Sequence, residues 1–568
     1  MPDPSPGTPR PPRRPWIALG AFAVGLATLA LMVATEPRLS IVWDEGFTLG
    51  REARIRSWFR AMADPSAFAR TWAPPAPGSE LVQNLGGPAP GRGEVDSRAK
   101  LLSRRSMAWF WPFAREEPHG HPPFYAIVGL LGDVLAPSWE PLPRARLGPI
   151  LAFSLASGAT FAAVARRFGP WAGALAAGAW VLQPNLFGHG HYATLDGLLA
   201  SLWVGAVLAF GRAVEGGGRS PRWGWAVAFG VLCGWAADTK LTGWFLPLPF
   251  VAWSLLYRDR RGWLALAVGG VVGAAVLLAF NPCWWADPVS GVERFFRSNL
   301  TRGKTVPIQT LFLGRVYETP NQSLPWYNTL AWTVLVTPVG FFAMSLTGAW
   351  RSARRAFAEA GSDGSAHEAR FAVLALLHWG FLLALRALPH APGHDGVRLF
   401  LPAFGMLAIV AGVGAAATVD RFGRWGKIAI GAALVEGVAS VALMMPVPLS
   451  YFSPIVGGLP GAANLGMEPT YFWDALSDDA LRWLDRNTPE GRTVRFSNYP
   501  TSWLYLKQTG RLRAKLWQGE SARPAWYVMQ NRPGNFRGFD AELLQTGRPA
   551  YVDAKWGVPL ILIYPYPD

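Results

Sequence analysis

Cysteine and charged side chains are both scarce in this sequence. Only Cys233 and Cys283 are cysteines, and 16% of the 568 residues are charged, against roughly 25% in ordinary soluble domains. Two cysteines cannot form the disulfide framework of a small secreted domain. Because 51% of the residues are hydrophobic, the chain instead has the composition of a membrane protein.

Motifs of several common enzyme classes are absent as well. The sequence has no Gly-rich nucleotide loop, no Gly-x-Ser-x-Gly elbow and no zincin motif, so nothing indicates a soluble nucleotide donor. The formal charge of +16 does not indicate a nucleic-acid partner. The Lys and Arg residues lie largely in short loops between apolar runs, where they set the orientation of a membrane protein.

Eleven apolar segments have about the 17 to 25 residues that a helix needs to cross a bilayer. These segments are 16–35, 145–165, 171–187, 195–214, 223–238, 241–257, 263–280, 326–350, 371–388, 399–419 and 428–445. Basic residues collect on alternate loops, which predicts a cytoplasmic N-terminus and an external C-terminus. Segment 124–136 is short and contains Asp133, so we interpret it as re-entrant or interfacial.

The sequence therefore predicts a polytopic α-helical protein of the inner (cell) membrane with a small external, periplasmic α/β domain at its C-terminus. The predicted parts are a basic cytoplasmic tail (1–15), a transmembrane domain (16–445) with long external loops at 36–122 and 282–325, and the C-terminal domain (446–568). Within the last part we expect a helix at 478–486 and strands at 492–496, 525–529 and 559–564.

Three carboxylates are candidate functional groups near the external ends of these segments. Asp44 and Glu45 directly follow the first apolar segment, where a carboxylate can act as a general base or a metal ligand. Backbone geometry usually turns only one of two such neighbours inward, and the structural alternative is a solvated start of a loop. Asp196 opens segment 195–214, where it could bind substrate or cap the helix.

Histidines and cations occupy the same predicted face. His121 precedes two prolines at the start of segment 124–136, and His191 belongs to a His-Gly-His sequence, which is a weak metal signal without further ligands. Lys240 lies between two closely spaced segments, and Arg398 precedes segment 399–419. Both are candidate anion binders or, alternatively, snorkelling anchors. Carboxylates and cations together suit transfer of a group from a lipid-linked phosphate.

The same residues carry a family resemblance. Trp43-Asp44-Glu45, His121-Pro122-Pro123, Tyr192-Ala193-Thr194-Leu195-Asp196 and Thr239-Lys240 resemble the motifs of the GT-C glycosyltransferases. The resemblance is to glycosyltransferase family 39, which contains protein O-mannosyltransferases and the lipid A aminoarabinose transferase. His394-Asp395-Gly396-Val397-Arg398 and Leu449-Ser450-Tyr451-Phe452 also look like bacterial members of this group.

This resemblance implies a GT-C fold and a membrane glycosyltransferase. The enzyme would move a sugar from a polyprenyl-phosphate donor to an acceptor hydroxyl, with inversion. Asp44 would be the catalytic carboxylate, with Glu45 as its neighbour. The residues implied for the donor phosphate and substrates are Arg398, Lys240, His121, His191, Asp196, His394 and Asp395. The acceptor stays open among a protein, a lipid and a glycan.

A divalent metal is compatible with this chemistry but is not required by it, and Asp44 and Asp196 are its candidate ligands. The competing class is a multi-pass transporter or lipid-handling protein without transferase activity. A third class is an envelope-assembly subunit with a dead site. The sequence shows no inverted repeat halves, and its polar residues cluster on one face, which favours the transferase.

Overall fold

The computed structural model describes residues 15–75, 88–111, 121–216, 218–305, 308–358, 364–517, 519 and 522–566. The predicted cytoplasmic tail, apart from Pro15, lies outside the described residues, as do parts of the predicted first external loop.

Helices dominate the chain up to residue 444. In chain order they are α1 (Pro15–Thr35), α2 (Trp43–Ala63), α3 (Pro65–Thr71), α4 (Arg98–Leu101), α5 (Arg104–Phe110), α6 (Phe124–Gly129), α7 (Leu131–Leu135), α8 (Pro141–Phe168), α9 (Pro170–Val181), α10 (Pro184–His191), α11 (Leu195–Ala213), α12 (Trp223–Ala237), α13 (Pro247–Leu256), α14 (Arg260–Phe280), α15 (Pro288–Thr305), α16 (Asn328–Val336), α17 (Val339–Ala358), α18 (Gly364–Ala387), α19 (Pro402–Phe422) and α20 (Arg424–Met444).

Among the described residues, seven helices are long and apolar enough to span a membrane. They are α1, α8, α11, α14, α18, α19 and α20. The other four predicted segments are short or interrupted helices. Segment 171–187 is divided between α9 and α10, and segment 326–350 between α16 and α17. Prolines at both breaks, Pro184 and Pro338, lack the N–H group that a continuous helix needs.

The remaining two predicted segments are short for other reasons. Helix α12 has 15 residues, and segment 241–257 begins as a 3-10 helix before Pro247 starts α13. The predicted multi-pass helical architecture is thus confirmed, with seven long apolar helices among the described residues and four predicted segments that are short or broken.

Helix α19 forms the centre of the membrane region. Its residues from Pro402 to Ala416 are all buried, and small side chains allow neighbouring backbones to approach closely. A Cβ atom at Gly414 would lie 1.9 Å from the carbonyl oxygen of Met344 on α17. Glycine at this position therefore permits the contact between α17 and α19.

A short hairpin interrupts the predicted second external loop. Strands β1 (Ile308–Phe312) and β2 (Arg315–Thr319) pair antiparallel and follow the amphipathic helix α15. We did not predict this hairpin. It contributes Ile308, Gln309 and Glu318 to the cavity described below.

The C-terminal region contains a mixed sheet and short helices. The helices are α21 (Gly458–Asn464), α22 (Asp478–Asn487), α23 (Trp503–Gln508) and α24 (Gly538–Thr546), and the strands are β3 (Thr493–Phe496), β4 (Pro524–Gln530), β5 (Tyr551–Lys555) and β6 (Val558–Pro565). The sheet order is β3-β4-β6-β5, with β3 and β4 parallel. The predicted helix and three predicted strands match α22, β3, β4 and β6 to within one residue at each end.

Strand β5 is the element that we did not predict in this sheet. It lies at the edge and carries Asp553 and Lys555, and charges are typical of edge strands. The turn to β6 places Trp556 at φ 50° and Gly557 at φ 80°. Positive φ at both central residues is the geometry of a tight hairpin turn.

Candidate active site

One face of helix α2 lines a cavity of about 840 Å³. Asp44, Phe47, Thr48 and Arg51 all contribute to its wall, and their spacing of three, one and three residues places them on a single helical stripe. Asp44 stands in the first turn of α2, so the motif directly after the first apolar helix opens into the cavity.

Glu45 points away from this cavity. Its two carboxylate oxygens accept hydrogen bonds from Arg146 Nε and Nη2, each at 2.7 Å. The same carboxylate also accepts from the backbone N–H groups of Val42 at 3.0 Å and Ala193 at 2.9 Å. Glu45 and Arg146 are both fully buried. Glu45 therefore fixes the start of α2 against the segment before α11 and does not reach the cavity.

Arg398 joins three carboxylates beside the cavity. Its Nη2 donates to Asp44, its Nε donates to Asp196 Oδ2 at 2.8 Å, and its Nη1 lies 3.4 Å from Asp395 Oδ2. Lys240 Nζ lies 2.5 Å from the other oxygen of Asp196. The structure thus brings together five predicted site residues that are far apart in the sequence.

The charges in this cluster balance one another through contact. Buried charges are costly unless they are paired and hydrogen-bonded. Each of these five side chains contacts a side chain of opposite charge. Arg398 also lies against an aromatic face, with its Cζ atom 3.9 Å from the ring centroid of Phe472. Asp196 and Arg398 are nearly inaccessible, whereas the side chain of Asp44 is 27% exposed. Asp44 is therefore the carboxylate of the three that a substrate reaches most directly.

The three predicted histidines have different surroundings. His121 and His394 line the cavity. His394 Nδ1 lies 3.3 Å from Asp395 Oδ2, and burial together with the charge of Arg398 keeps the pKa of His394 below its ordinary value. His191 does not line the cavity. Its ring nitrogens face the carbonyl oxygens of Phe187 and Met32 at 2.8 and 3.0 Å.

The expectation that His191 belongs to the substrate site is therefore not met. Its ring ties α10 to the end of α1, where Thr35 Oγ1 lies 2.9 Å from Nε2. The His-Gly-His sequence could not indicate this, because it does not specify which helix packs against α10.

Arg532 is a site residue that sequence reasoning missed. It belongs to the C-terminal region, and its Nη2 lies 2.6 Å from Asp395 Oδ1 while its Nε donates to Glu468 Oε2 at 3.1 Å. Burial acts to raise the pKa of Asp395, but Arg532, His394 and Arg398 outweigh it, so this pKa lies well below its ordinary value. The charged cluster thus extends from the membrane region into the C-terminal region.

Two further missed residues have strained backbones. Phe472 and Trp473 both line the cavity with φ angles of 65° and 62°, which is unusual for bulky side chains and clusters at functional sites. Trp43 N donates to the carbonyl oxygen of Phe472 at 2.8 Å. The aromatic run from Tyr471 to Trp473 was the signal in the sequence that could have identified them.

The C-terminal region also packs directly on the start of α2. Thr501 Oγ1 donates to the carbonyl oxygen of Trp43. A Cβ atom at Gly46 would lie 2.4 Å from the carbonyl carbon of Thr501. Glycine in the Trp-Asp-Glu-Gly sequence is therefore required for this close approach.

The candidate metal ligands do not form a metal site in this arrangement. In the part of the chain that the structure describes, no group of three His, Cys, Asp or Glu residues could hold a metal ion. Asp44 and Asp196 both bind the guanidinium group of Arg398, so a fixed cation of the protein already occupies the space that they share.

The chain is similar in sequence and in fold to known proteins. Residues 121–285 match the sequence model of the family described as dolichyl-phosphate-mannose-protein mannosyltransferase. The structure also matches the crystal structure of ArnT from Cupriavidus metallidurans bound to undecaprenyl phosphate, with a TM-score of 0.50 and 17% sequence identity. That match covers 97% of this chain and 98% of ArnT. The chain has a GT-C fold.

Two further solved structures match with TM-scores below 0.50. The apo form of the same ArnT matches with a TM-score of 0.49 and 18% identity over 97% of this chain and 98% of that chain. The archaeal oligosaccharyltransferase AglB from Archaeoglobus fulgidus gives a TM-score of 0.46 and 12% identity over 89% of this chain and 69% of AglB. No curated protein sequence matches the chain. The resemblance to GT-C glycosyltransferases inferred from the motifs is confirmed at the level of fold and of the family segment 121–285.

Proposed function

We propose that this protein transfers a sugar from a polyprenyl-phosphate donor to an acceptor hydroxyl on the external side of the membrane, with inversion at the anomeric carbon. The observation that carries the proposal is the contact of Arg398 with Asp44, Asp196 and Asp395 beside a cavity of about 840 Å³. A guanidinium group suited to a phosphate and a carboxylate suited to accept a hydroxyl proton are in contact in this cluster, which supports the proposal.

The donor phosphate would bind Arg398 with help from Lys240. Both cations are held in place by Asp196, so little side-chain entropy is lost when an anion arrives. The ArnT crystal structure contains bound undecaprenyl phosphate, and the similarity in fold supports a lipid phosphate of the same class here. Membrane lipids would surround the donor's polyprenyl chain.

Asp44 would act as the general base after the phosphate binds. In the structure its carboxylate pairs with Arg398 Nη2, and a phosphate that takes over this nitrogen releases the carboxylate towards the acceptor. The hydroxyl then gives its proton to Asp44, and its oxygen bonds to the anomeric carbon from the face opposite the phosphate. The bond to phosphate breaks with its electron pair on the phosphate oxygen, which Arg398 stabilises.

The proposal includes an orientation in the inner membrane. The N-terminus would be cytoplasmic, residues 16–445 would form the membrane domain, and residues 446–568 an external α/β domain. Alternating basic loops support this orientation, and contacts of Trp43 with Phe472 and Thr501 require α2 and the C-terminal region to lie on one side.

Cysteine labelling in intact cells tests the orientation. Ser97→Cys and Gly538→Cys should react with an impermeant reagent from outside. Ser220→Cys, between α11 and α12, should react only after the membrane is opened. Labelling of Gly538→Cys from the cytoplasmic side alone would refute the orientation.

Activity is tested with purified full-length protein in lipid nanodiscs and a radiolabelled polyprenyl-phosphate sugar. Transfer should produce free polyprenyl phosphate and a labelled acceptor in equal amounts. If the donor is bound but never cleaved, with proteins, lipids and glycans all offered as acceptors, the protein is a transporter or lipid-handling protein and the proposal fails.

A further inference from the structure

The cavity has a second wall whose chemistry differs from that of the charged cluster. This wall comes from the C-terminal region, where Arg532 and Asp540 also line the cavity, and its uncharged part consists of Ser497, Asn498, Tyr499, Gln530, Asn535 and Phe536. None of these six side chains carries a formal charge. They offer carboxamides, hydroxyls and aromatic rings but no positive charge to balance that of a phosphate.

The sheet explains why these side chains meet. Ser497, Asn498 and Tyr499 directly follow β3, Gln530 ends β4, and Asn535 lies in the turn after it. Strands β3 and β4 are parallel neighbours, so their carboxyl ends reach the same edge of the sheet. Ligands commonly bind at the carboxyl ends of parallel strands, and here that edge faces the cavity.

Two carboxamides on this wall are available for a ligand. Within the described part of the chain, the side chains of Asn498 and Asn535 make no hydrogen bond to the protein. By contrast, Tyr499 donates its hydroxyl to the carbonyl oxygen of Trp517 at 2.5 Å, and Gln530 Nε2 lies 3.4 Å from Thr470 Oγ1. Each free carboxamide has both donors and an acceptor, which matches the paired hydroxyl groups of a sugar ring.

The aromatic side chains complete a surface for a pyranose or furanose ring. Tyr499 and Phe536 lie beside these carboxamides and offer flat apolar faces next to polar groups. A phosphate is disfavoured among these six side chains, because none of them is a cation that could balance its charge.

We propose that the carboxyl ends of β3 and β4 form a saccharide-binding subsite centred on Asn498 and Asn535. This inference rests on the proposed function and deepens it, because a sugar bound on this wall would face Asp44 across the cavity. The ring has two sources, the sugar of the lipid-linked donor or a glycan acceptor. Both present the same hydroxyl chemistry.

The test compares lipids that differ only in the sugar. Full-length Asn498→Ala, Asn535→Ala and the double variant are assayed in nanodiscs for binding of polyprenyl phosphate and of polyprenyl-phosphate sugar, and for the acceptor KM. Asn487→Ala is the matched control, since Asn487 is a residue at the end of α22 that does not line the cavity.

Loss of two neutral hydrogen-bonding groups should weaken sugar binding in the double variant by about 5- to 100-fold. A weaker Kd for the lipid-linked sugar, with unchanged binding of bare polyprenyl phosphate, identifies the donor sugar as the ligand. An increase of that size in the KM of a glycan acceptor, with donor binding unchanged, identifies the acceptor. The unchanged binding of the bare lipid phosphate also shows that the variant is folded.

Unchanged binding of both lipids together with an unchanged acceptor KM would overturn the subsite, as would an equal loss for the bare lipid phosphate. These outcomes are separable from failure of the proposed function. A wild-type protein that prefers the sugar-bearing lipid but never cleaves it would retain the subsite and lose the transferase proposal.

Discussion

The two walls of the cavity are built by different rules. On the membrane side, Asp44, Asp196, Lys240, Arg398 and Asp395 hold one another in ion pairs. On the C-terminal side, the carboxamides and aromatic rings are neutral, and the free carboxamides depend on no protein partner among the described residues. Charged side chains near a membrane need oppositely charged partners. Neutral polar side chains that line a cavity can remain without a protein partner until a ligand binds. The first wall is therefore rigid and suited to a phosphate, and the second is suited to hydroxyl groups.

The largest expected effect comes from Asp44, where the charged wall meets the cavity. Asp44→Asn keeps the shape and the contact with Arg398 but removes the base, which typically costs about 10² to 10⁴-fold in rate. Donor binding should persist, because a lost base affects the transition state more than the ground state. Single-turnover transfer rates and donor Kd values measure the two effects. A purified Asp44→Asn protein that transfers at the wild-type rate would refute the mechanism.

Glu45→Gln is the matched control for that experiment. Glu45 is paired with buried Arg146, so the change should lower thermal stability, because this buried cation would keep only Glu36 as a charged partner among the described residues. The transfer rate per folded molecule should fall much less than in Asp44→Asn. Equal losses of rate in both variants would show that the adjacent carboxylates act as one unit.

Arg398→Lys should have the next largest effect on the charged wall. Lysine keeps the charge, but it cannot reach Asp44, Asp196 and Asp395 with separate fixed nitrogens as the guanidinium does. Loss of a charge-assisted hydrogen bond predicts about 10- to 100-fold weaker binding of polyprenyl phosphate. Isothermal titration in nanodiscs measures this change. Wild-type affinity in Arg398→Lys would remove the assignment of Arg398 as the main phosphate ligand.

The difference between the walls also explains what the sequence could predict. Charged residues at the ends of apolar segments are conspicuous, and Asp44, Lys240 and Arg398 could be assigned to one site before any distance was known. Asn498 and Asn535 were not predicted, because a carboxamide in a polar region carries no signal of its role. Their position depends on the parallel pairing of β3 with β4, which no local pattern specifies.

Other errors have equally physical causes. The long apolar helices were predictable from length and hydropathy. The breaks before Pro184 and Pro338 were missed although both prolines stand in the sequence, because apolar residues continue on both sides. His191 lies in α10, which begins at Pro184, and its ring faces the carbonyl oxygens of Phe187 and Met32. Asp44 and Glu45 are adjacent in sequence, but the first turn of α2 directs them to different places. Glu45 forms a buried ion pair, whereas Asp44 lines the cavity.

Gly46→Ala should push the C-terminal region away from the start of α2, and so separate the two walls of the cavity, without changing a charged residue. The new Cβ atom would lie 2.4 Å from Thr501, and overpacking of this kind costs about 1 to 3 kcal/mol. We expect a lower melting temperature and a higher KM for the sugar-bearing donor. Gly93→Ala is the control, because a Cβ at Gly93 has no heavy atom within 4 Å. Unchanged stability in Gly46→Ala would show that the loop at Thr501 can move away freely.

The smallest expected effect is a pH dependence of stability at the strained segment Phe472–Trp473, which lines the cavity between the two walls. Asp474 follows Phe472 and Trp473, and burial raises its pKa to about 7, against an ordinary value of 3.8, although Thr470 Oγ1 donates to it at 2.9 Å. Because the folded state holds this proton more tightly than the unfolded state, the stabilisation is full below pH 3.8 and is lost as the pH rises through 7. The melting temperature should therefore fall mainly between about pH 4 and 7. Asp474→Asn should reduce that fall without abolishing it, because burial also raises the pKa of Glu468 to about 7. Asp478→Asn, on the exposed start of α22, is the control and should leave the fall in melting temperature unchanged. An equal fall in wild type and Asp474→Asn would show that Asp474 stays ionised, and the strained segment would then be held by a buried charge with no cationic partner among the described residues.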